Sequence, residues 1–154
     1  MHSQLSILTK HRKLLLSFID DLTNEQLCEI PYGFNYNIIW NLGHLLVTQQ
    51  LLSYGLTNQP FKISSKIIDK YRKGSEAFDH ISEEEVTLIK EQFVALLSEF
   101  EIDLQASKFQ DFNMYTTSMG LELSTIDESI DFMMYHEGIH FGIIVSLKKL
   151  ITKK

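Results

Sequence analysis

The sequence contains one cysteine, Cys28, in 154 residues, so no disulfide can form within the chain. A lone thiol is typical of proteins in a reducing compartment, and we expect a cytoplasmic location. No base lies beside Cys28 in the sequence to activate it as a nucleophile, so we expect a structural thiol.

Basic clusters and long apolar runs are also scarce. Fourteen Lys and Arg stand against 20 Asp and Glu, which gives a net charge of -6, and no basic run exceeds two residues. A nucleic-acid binder would need a basic patch, so we expect no nucleic-acid partner. The apolar run from Leu14 to Ile19 contains Ser17 and is too short for a signal peptide or a membrane span, so we expect no membrane association. Without repeats or composition shifts, we expect one domain over residues 1–154.

Apolar residues recur at steps of three and four, a pattern that predicts helices. We expect four long helices, over about 3–21, 36–54, 82–101 and 124–151. Ser82-Glu-Glu-Glu85 and Ser124-Thr-Ile-Asp127 are capping sequences for the last two, and Asn35 or Asn37 is the natural cap of the second. The second helix is apolar nearly all round and should lie inside the fold.

The connections between these helices differ in length. Residues 57–81 are irregular and polar, and we expect a crossover loop with one helical turn near 65–72. Residues 109–123 alternate loosely but have no partner strand, so we expect a connector without sheet. The sequence therefore predicts an all-α four-helix bundle with long crossover connections.

His136 and His140 lie four residues apart on the apolar stripe of the fourth helix. Residues at this spacing project from successive turns in the same direction, so both imidazoles could bind one ion. A pair of hydrogen-bonded core histidines fits the pattern equally well. His44 of the second helix shares a face with Trp40 and Thr48 and gains significance only as a third partner, because a lone buried histidine is usually structural.

The segment from His136 to His140 also matches the HExxH pattern of zinc proteases. That chemistry requires a third ligand downstream, but no His, Asp, Glu or Cys follows His140. A third ligand would have to come from upstream, which argues against a zinc protease.

On the opposite side of this helix, Gly138 and Gly142 would let another backbone approach. We expect tight packing within the subunit there, and a dimer contact is the alternative.

Three segments together resemble the DinB-like superfamily of bacterial four-helix-bundle proteins. They are Trp40-Asn-Leu-Gly-His44, Tyr71-Arg-Lys-Gly74-Ser, and His136-Glu-Gly-Ile-His140-Phe-Gly142, in the family's order and approximate spacing. The resemblance implies a divalent metal, nickel or zinc, bound by His44, His136 and His140, and it implies homodimers. The chain departs from many relatives after Gly142, where Ile143 replaces a glutamine.

Three histidine ligands would leave a coordination position open to water or substrate, as in catalytic sites. Some relatives are transferases that use a metal to activate a low-molecular-weight thiol such as bacillithiol or mycothiol, and the resemblance implies such a thiol and a small electrophile as substrates. A metal-dependent hydrolase and a non-catalytic structural or metal-binding bundle are the alternatives. Glu137 lies about 60° from His140 around the helix, where it could act as a general base or face solvent.

Overall fold

The computed structural model describes residues 3–153, and its regular structure is mostly helical. Within these residues there are six α-helices and two short β-strands: α1 Ser3–Phe18, α2 Asn24–Cys28, α3 Ile38–Leu52, α4 Ser65–Tyr71, α5 Glu83–Gln105, β1 Tyr115–Thr116, β2 Glu122–Leu123 and α6 Ile126–Thr152. The predicted all-α class is confirmed. One domain over residues 1–154 stays a prediction.

Helix α3 lies at the centre of the fold. It begins where the Asn37 side chain accepts a hydrogen bond from the backbone N–H of Trp40, which satisfies one of the free donors at the helix start. Thirteen of its 15 residues are buried, so its all-round apolar composition reflects its position. Helix α3 packs against α5 and α6, and α1 packs against the same two helices. The parts of α3 and α6 that carry histidines are thereby brought together.

The predicted cap of α5, Ser82, is confirmed, whereas the cap of α6 is Thr125 rather than the predicted Ser124. Ser82 caps α5 by accepting from the backbone N–H of Glu85, and Thr125 caps α6 by accepting from that of Glu128. Helix α5 continues to Gln105, beyond the predicted end near Glu101. Its extra turn carries Asp103, which is buried and bonded to Tyr54 of another segment, so tertiary contacts extend the helix.

The connector between α5 and α6 differs from the prediction because it contains a small antiparallel pair of strands. Tyr115 pairs with Leu123, and Thr116 pairs with Glu122. The turn between them is closed by Thr117, whose backbone N–H donates to the carbonyl of Leu121 and whose side chain accepts from the backbone N–H of Leu121. We call residues 115–123 the hairpin. Two-residue strands are too short to be recognised by periodicity, which explains the wrong prediction.

The side of α6 that carries Gly138 and Gly142 is open. A Cβ atom built on either glycine would meet no atom within 4 Å, so the expected tight packing inside the subunit is wrong. Exposed apolar side chains lie nearby: Ile7 of α1 shares a small surface pocket with Gly138, and Tyr135 and Ile139 are neighbours of the glycines on α6. In residues 3–153, no helix combines the length and the hydropathy needed to cross a membrane.

Candidate metal centre

The structure brings the three predicted histidines together between α3 and α6. The ring centroids of His44 and His136 are 5.2 Å apart, those of His44 and His140 4.9 Å, and those of His136 and His140 4.5 Å. One ring nitrogen of each histidine lies within 4.8 Å of the other two. We call these three residues the histidine cluster.

Hydrogen bonds to Nδ1 orient two of the three rings. His44 Nδ1 lies 3.0 Å from the backbone carbonyl oxygen of Tyr71, and His140 Nδ1 lies 2.7 Å from Oδ1 of Asn41. A carbonyl oxygen can only accept, so Nδ1 carries the proton in each ring and Nε2 keeps its lone pair. The Nε2 atoms of His140 and His136 are 3.1 Å apart, within hydrogen-bond distance, so the lone pair of His140 faces the ring of His136.

Asn41 is a functional residue that the sequence prediction missed. Its side-chain amide donates to the carbonyl of Asn37, so its oxygen faces His140 and its orientation is determined by two partners. Partners of this kind orient metal-binding histidines and increase their basicity. The sequence signal for Asn41 was a polar residue three positions before His44 on a mostly apolar helix, but its partner His140 is 99 positions away.

Aromatic rings pack on the histidine cluster, in which His44 is buried and His136 and His140 are partly buried. The Trp40 ring stacks on His44 with centroids 4.7 Å apart, and the Phe132 ring stacks on His136 at 5.8 Å. Burial lowers the pKa of His140 to about 3 and that of His136 to about 4, and the neighbouring imidazoles add to both shifts. Burial also lowers the pKa of His44, against the hydrogen bond to Tyr71. All three imidazoles are therefore neutral at pH 7, the form that binds metal.

Glu137 is buried. Of the two alternatives expected from the sequence, a general base or a residue that faces solvent, the second is therefore wrong. Its Oε1 accepts from Arg12 Nε at 2.8 Å and Nη2 at 2.5 Å. Arg12 is fully buried, and it also donates to Gln49 and to the backbone carbonyl of Phe93. The Arg12 guanidinium thus links α1 to α3, α5 and α6 by hydrogen bonds beside the histidine cluster. One of its partners is the Glu137 carboxylate.

A pocket of about 470 Å³ adjoins the histidine cluster, and both His44 and His136 form part of its wall. The helix wall contains Leu51, Leu52 and Phe132, and the hairpin forms another part of the wall. Its volume lies within the range of about 300 to 1,000 Å³ that small-molecule sites occupy. A molecule in this pocket would reach the two histidines directly.

The residues of the cluster fit a divalent metal ion. Three neutral imidazole nitrogens suit zinc, nickel and other first-row transition metals, and the hydrogen bonds to Nδ1 leave Nε2 free for coordination. The nitrogen positions within 4.8 Å are close enough for small side-chain rotations to bring all three onto one ion.

The fold and the histidine cluster together define an all-α protein whose central helices present three histidines suited to a divalent metal. The family model of the DinB superfamily matches residues 7–144, and the chain belongs to this superfamily. The resemblance seen in the sequence motifs is thereby confirmed. The comparisons with curated proteins and with solved structures gave no match.

Proposed function

We propose that this protein is a metal-dependent transferase that joins the sulfur of a low-molecular-weight thiol to a small electrophile. The supporting observation is the convergence of three neutral imidazoles at the end of a pocket large enough for a substrate. His44, His136 and His140 would hold a divalent ion, zinc or nickel, and the pocket side of the cluster would be left for the substrates.

The roles of the chain's own residues follow from their contacts. The Tyr71 carbonyl and Asn41 fix the tautomers of His44 and His140, so both rings offer Nε2 without reorganisation. Trp40 and Phe132 stack on the cluster and exclude water from it, which strengthens electrostatic interactions there. Arg12 and Glu137 join the four long helices, and we assign them to positioning rather than to proton transfer.

A divalent ion in this site would lower the pKa of a coordinated thiol, so that the thiolate would be available at neutral pH. The thiol proton leaves to solvent, and a sulfur lone pair forms the new S–C bond with the electrophilic carbon. The leaving group then departs with the electron pair of its broken bond to that carbon. The apolar walls keep competing water away from the electrophile.

Thiol transfer can be tested with untagged protein loaded with zinc or nickel. Bacillithiol, mycothiol and cysteine are supplied in turn with 1-chloro-2,4-dinitrobenzene, and the S-conjugate is measured by its absorbance. We expect metal-dependent conjugation with at least one thiol, and its loss in His44→Ala because one of three ligands is removed. His80→Ala is the matched control, since His80 is exposed and lies outside the cluster.

Two results would contradict the proposal. If His44→Ala were as active as the parent protein, the conjugation activity would not depend on the histidine cluster. Stoichiometric metal without conjugation of any of the three thiols would leave a non-catalytic metal-binding bundle, and hydrolysis of an ester and amide panel in that case would identify the hydrolase alternative.

We also propose that the protein forms a homodimer in a reducing cytoplasmic environment. The open surface formed by Ile7, Tyr135, Gly138, Ile139 and Gly142, here called the glycine face, supports the dimer because exposed apolar patches commonly mark interfaces. A reducing compartment keeps the thiol substrate reduced and agrees with the single buried cysteine.

A further inference from the structure

The pocket beside the histidine cluster has several apolar walls. Its apolar side chains come from α3, from the segment after α3, from α6 and from the hairpin: Leu51, Leu52, Leu56, Phe61, Phe132 and Met119. Phe61 and Met119 are 42% and 52% exposed, although both are large and apolar. Their exposure is explained if they form the apolar rim of a site that a ligand covers.

Asn113, two residues before the hairpin, is attached by hydrogen bonds to the segment that follows α3. The Asn113 backbone N–H donates to the carbonyl of Leu56 at 2.7 Å, and its side-chain amide donates to the same oxygen at 2.9 Å. These bonds hold the start of the hairpin against the segment that supplies Leu56. The walls of the pocket thus come from distant parts of the chain, and hydrogen bonds fix their relative positions.

Lys73 supplies the positive charge of this pocket. Within residues 3–153 no other Lys or Arg and no Asp or Glu lines it, although the whole chain has 20 acidic residues. Lys62, Lys70 and Lys108 each form ion pairs, but Lys73 has no ion pair or hydrogen-bond partner among the described residues. Burial lowers the pKa of His44 and the Lys73 charge adds to that lowering, so this charge lies near the cluster.

We propose that the pocket takes an amphipathic anion, a small molecule with an apolar body and one negatively charged group that pairs with Lys73. The apolar walls contribute affinity for the apolar part of the ligand, and the ammonium group of Lys73 favours a ligand with a negative charge. Such a molecule is the electrophilic substrate class of the proposed transfer. This inference therefore rests on the proposed function, but ligand binding can be measured without turnover.

Isothermal titration calorimetry with 1-octanesulfonate and 1-octanol tests the charge selection on the metal-loaded protein. The two ligands share one chain length, and a sulfonate coordinates metals weakly, so Lys73 rather than the ion is tested. We expect octanesulfonate to bind at one per chain and more tightly than octanol. Lys73→Met should weaken octanesulfonate about three- to tenfold, because an ion pair at a partly solvated site is lost.

Control variants assign the effect to Lys73 and to the apolar wall. Lys73→Met should leave octanol affinity within about twofold, and Lys73→Arg should retain octanesulfonate binding because the charge is kept. Lys66→Met should change neither affinity, since Lys66 is also exposed but does not line the pocket. Phe61→Ala should weaken both ligands together, because it removes apolar contact from the rim.

The proposal is overturned if octanesulfonate does not bind the parent protein, or if Lys73→Met leaves its affinity unchanged or weakens both ligands equally. Failure of the proposed thiol transfer would look different. Conjugation would then be absent with every thiol, while the Lys73 variants would still differ in octanesulfonate affinity as expected. This result would support the proposed ligand class and overturn only the proposed thiol transfer.

Discussion

Asn41 of α3 accepts a hydrogen bond from Nδ1 of His140 in α6, at 2.7 Å. The other end of the Asn41 side chain donates to the carbonyl of Asn37, so the acceptor cannot turn away without losing a second bond. This contact joins the two helices of the histidine cluster and determines which nitrogen of His140 can bind metal. The position of the Asn41 amide oxygen thus sets the tautomer and the orientation of His140.

Replacing Asn41 should weaken metal binding without removing a ligand. We expect Asn41→Leu to lower zinc affinity about 10- to 100-fold, the usual effect of losing the partner of a coordinating histidine. Asn41→Asp keeps an acceptor oxygen and should lose less. Competition with a chromophoric chelator gives both affinities, and an unchanged affinity in Asn41→Leu would mean that the hydrogen bond does not orient His140.

The buried pair of Arg12 and Glu137 should contribute to stability. Glu137→Leu leaves the guanidinium charge buried without its carboxylate, and removing one partner of such a pair costs about 3 to 5 kcal/mol in the free energy of unfolding. Glu137→Gln keeps an acceptor for Arg12 and should lose less. Urea unfolding of both variants measures the difference.

The same variants separate a positioning role of Glu137 from the general-base role suggested by the sequence. Glu137→Gln should retain metal stoichiometry and keep thiol conjugation within about threefold, because general-base catalysis contributes about 100-fold or more where it operates. A loss of conjugation of about 100-fold in a stably folded Glu137→Gln protein would restore the catalytic assignment.

Asp103 should make stability depend on pH in the acidic range. Burial raises the pKa of this carboxyl, but hydrogen bonds from Lys108 and Tyr54 outweigh burial, and the folded-state pKa lies below the usual value. Because the folded pKa is depressed, the contribution is complete above the unfolded pKa of about 3.9 and is lost as pH falls through the folded pKa.

We therefore expect Asp103→Asn to lower the free energy of unfolding by about 1.5 to 3 kcal/mol at pH 7, as for the loss of charge-assisted hydrogen bonds. The difference between this variant and the parent should stay constant down to about pH 5 and shrink below about pH 4. Urea unfolding across this range measures it, and a difference that does not shrink would assign the effect to packing.

The glycine face gives a prediction about assembly. Ile139→Glu adds a charge at the centre of this exposed apolar surface and should convert a dimer into a monomer, because a desolvated unpaired charge opposes association. Ile102→Glu is the control, since Ile102 is also exposed but lies on α5. Light scattering after size exclusion gives the mass, and a monomeric parent protein would rule out the proposed dimer.

Features encoded by short-range patterns could be predicted from the sequence. The start of α5 depends on the Ser82 side chain, which caps the next turn, and the spacing of His136 and His140 places them on one side of α6. Such signals extend over only a few residues. The all-α fold and the pairing of the two histidines therefore follow from local patterns alone.

Features that depend on distant partners could not be predicted in this way. Arg12 and Glu137 are 125 positions apart, and each looks like an ordinary surface charge in its own helix. Lys73 lies in an irregular segment whose position beside His44 depends on the crossover. The hairpin has strands of only two residues each, so its tertiary contacts rather than its periodicity define it.

Metal content is the measurement that bears most directly on the site. Untagged protein is incubated with zinc or nickel, freed of excess ion, and assayed by elemental analysis alongside His44→Ala and His80→Ala. We expect about one ion per chain in the parent protein and in His80→Ala, and a large loss in His44→Ala. Less than about 0.2 ion per chain in the parent protein, or equal loading of His44→Ala, would contradict a metal centre at His44, His136 and His140.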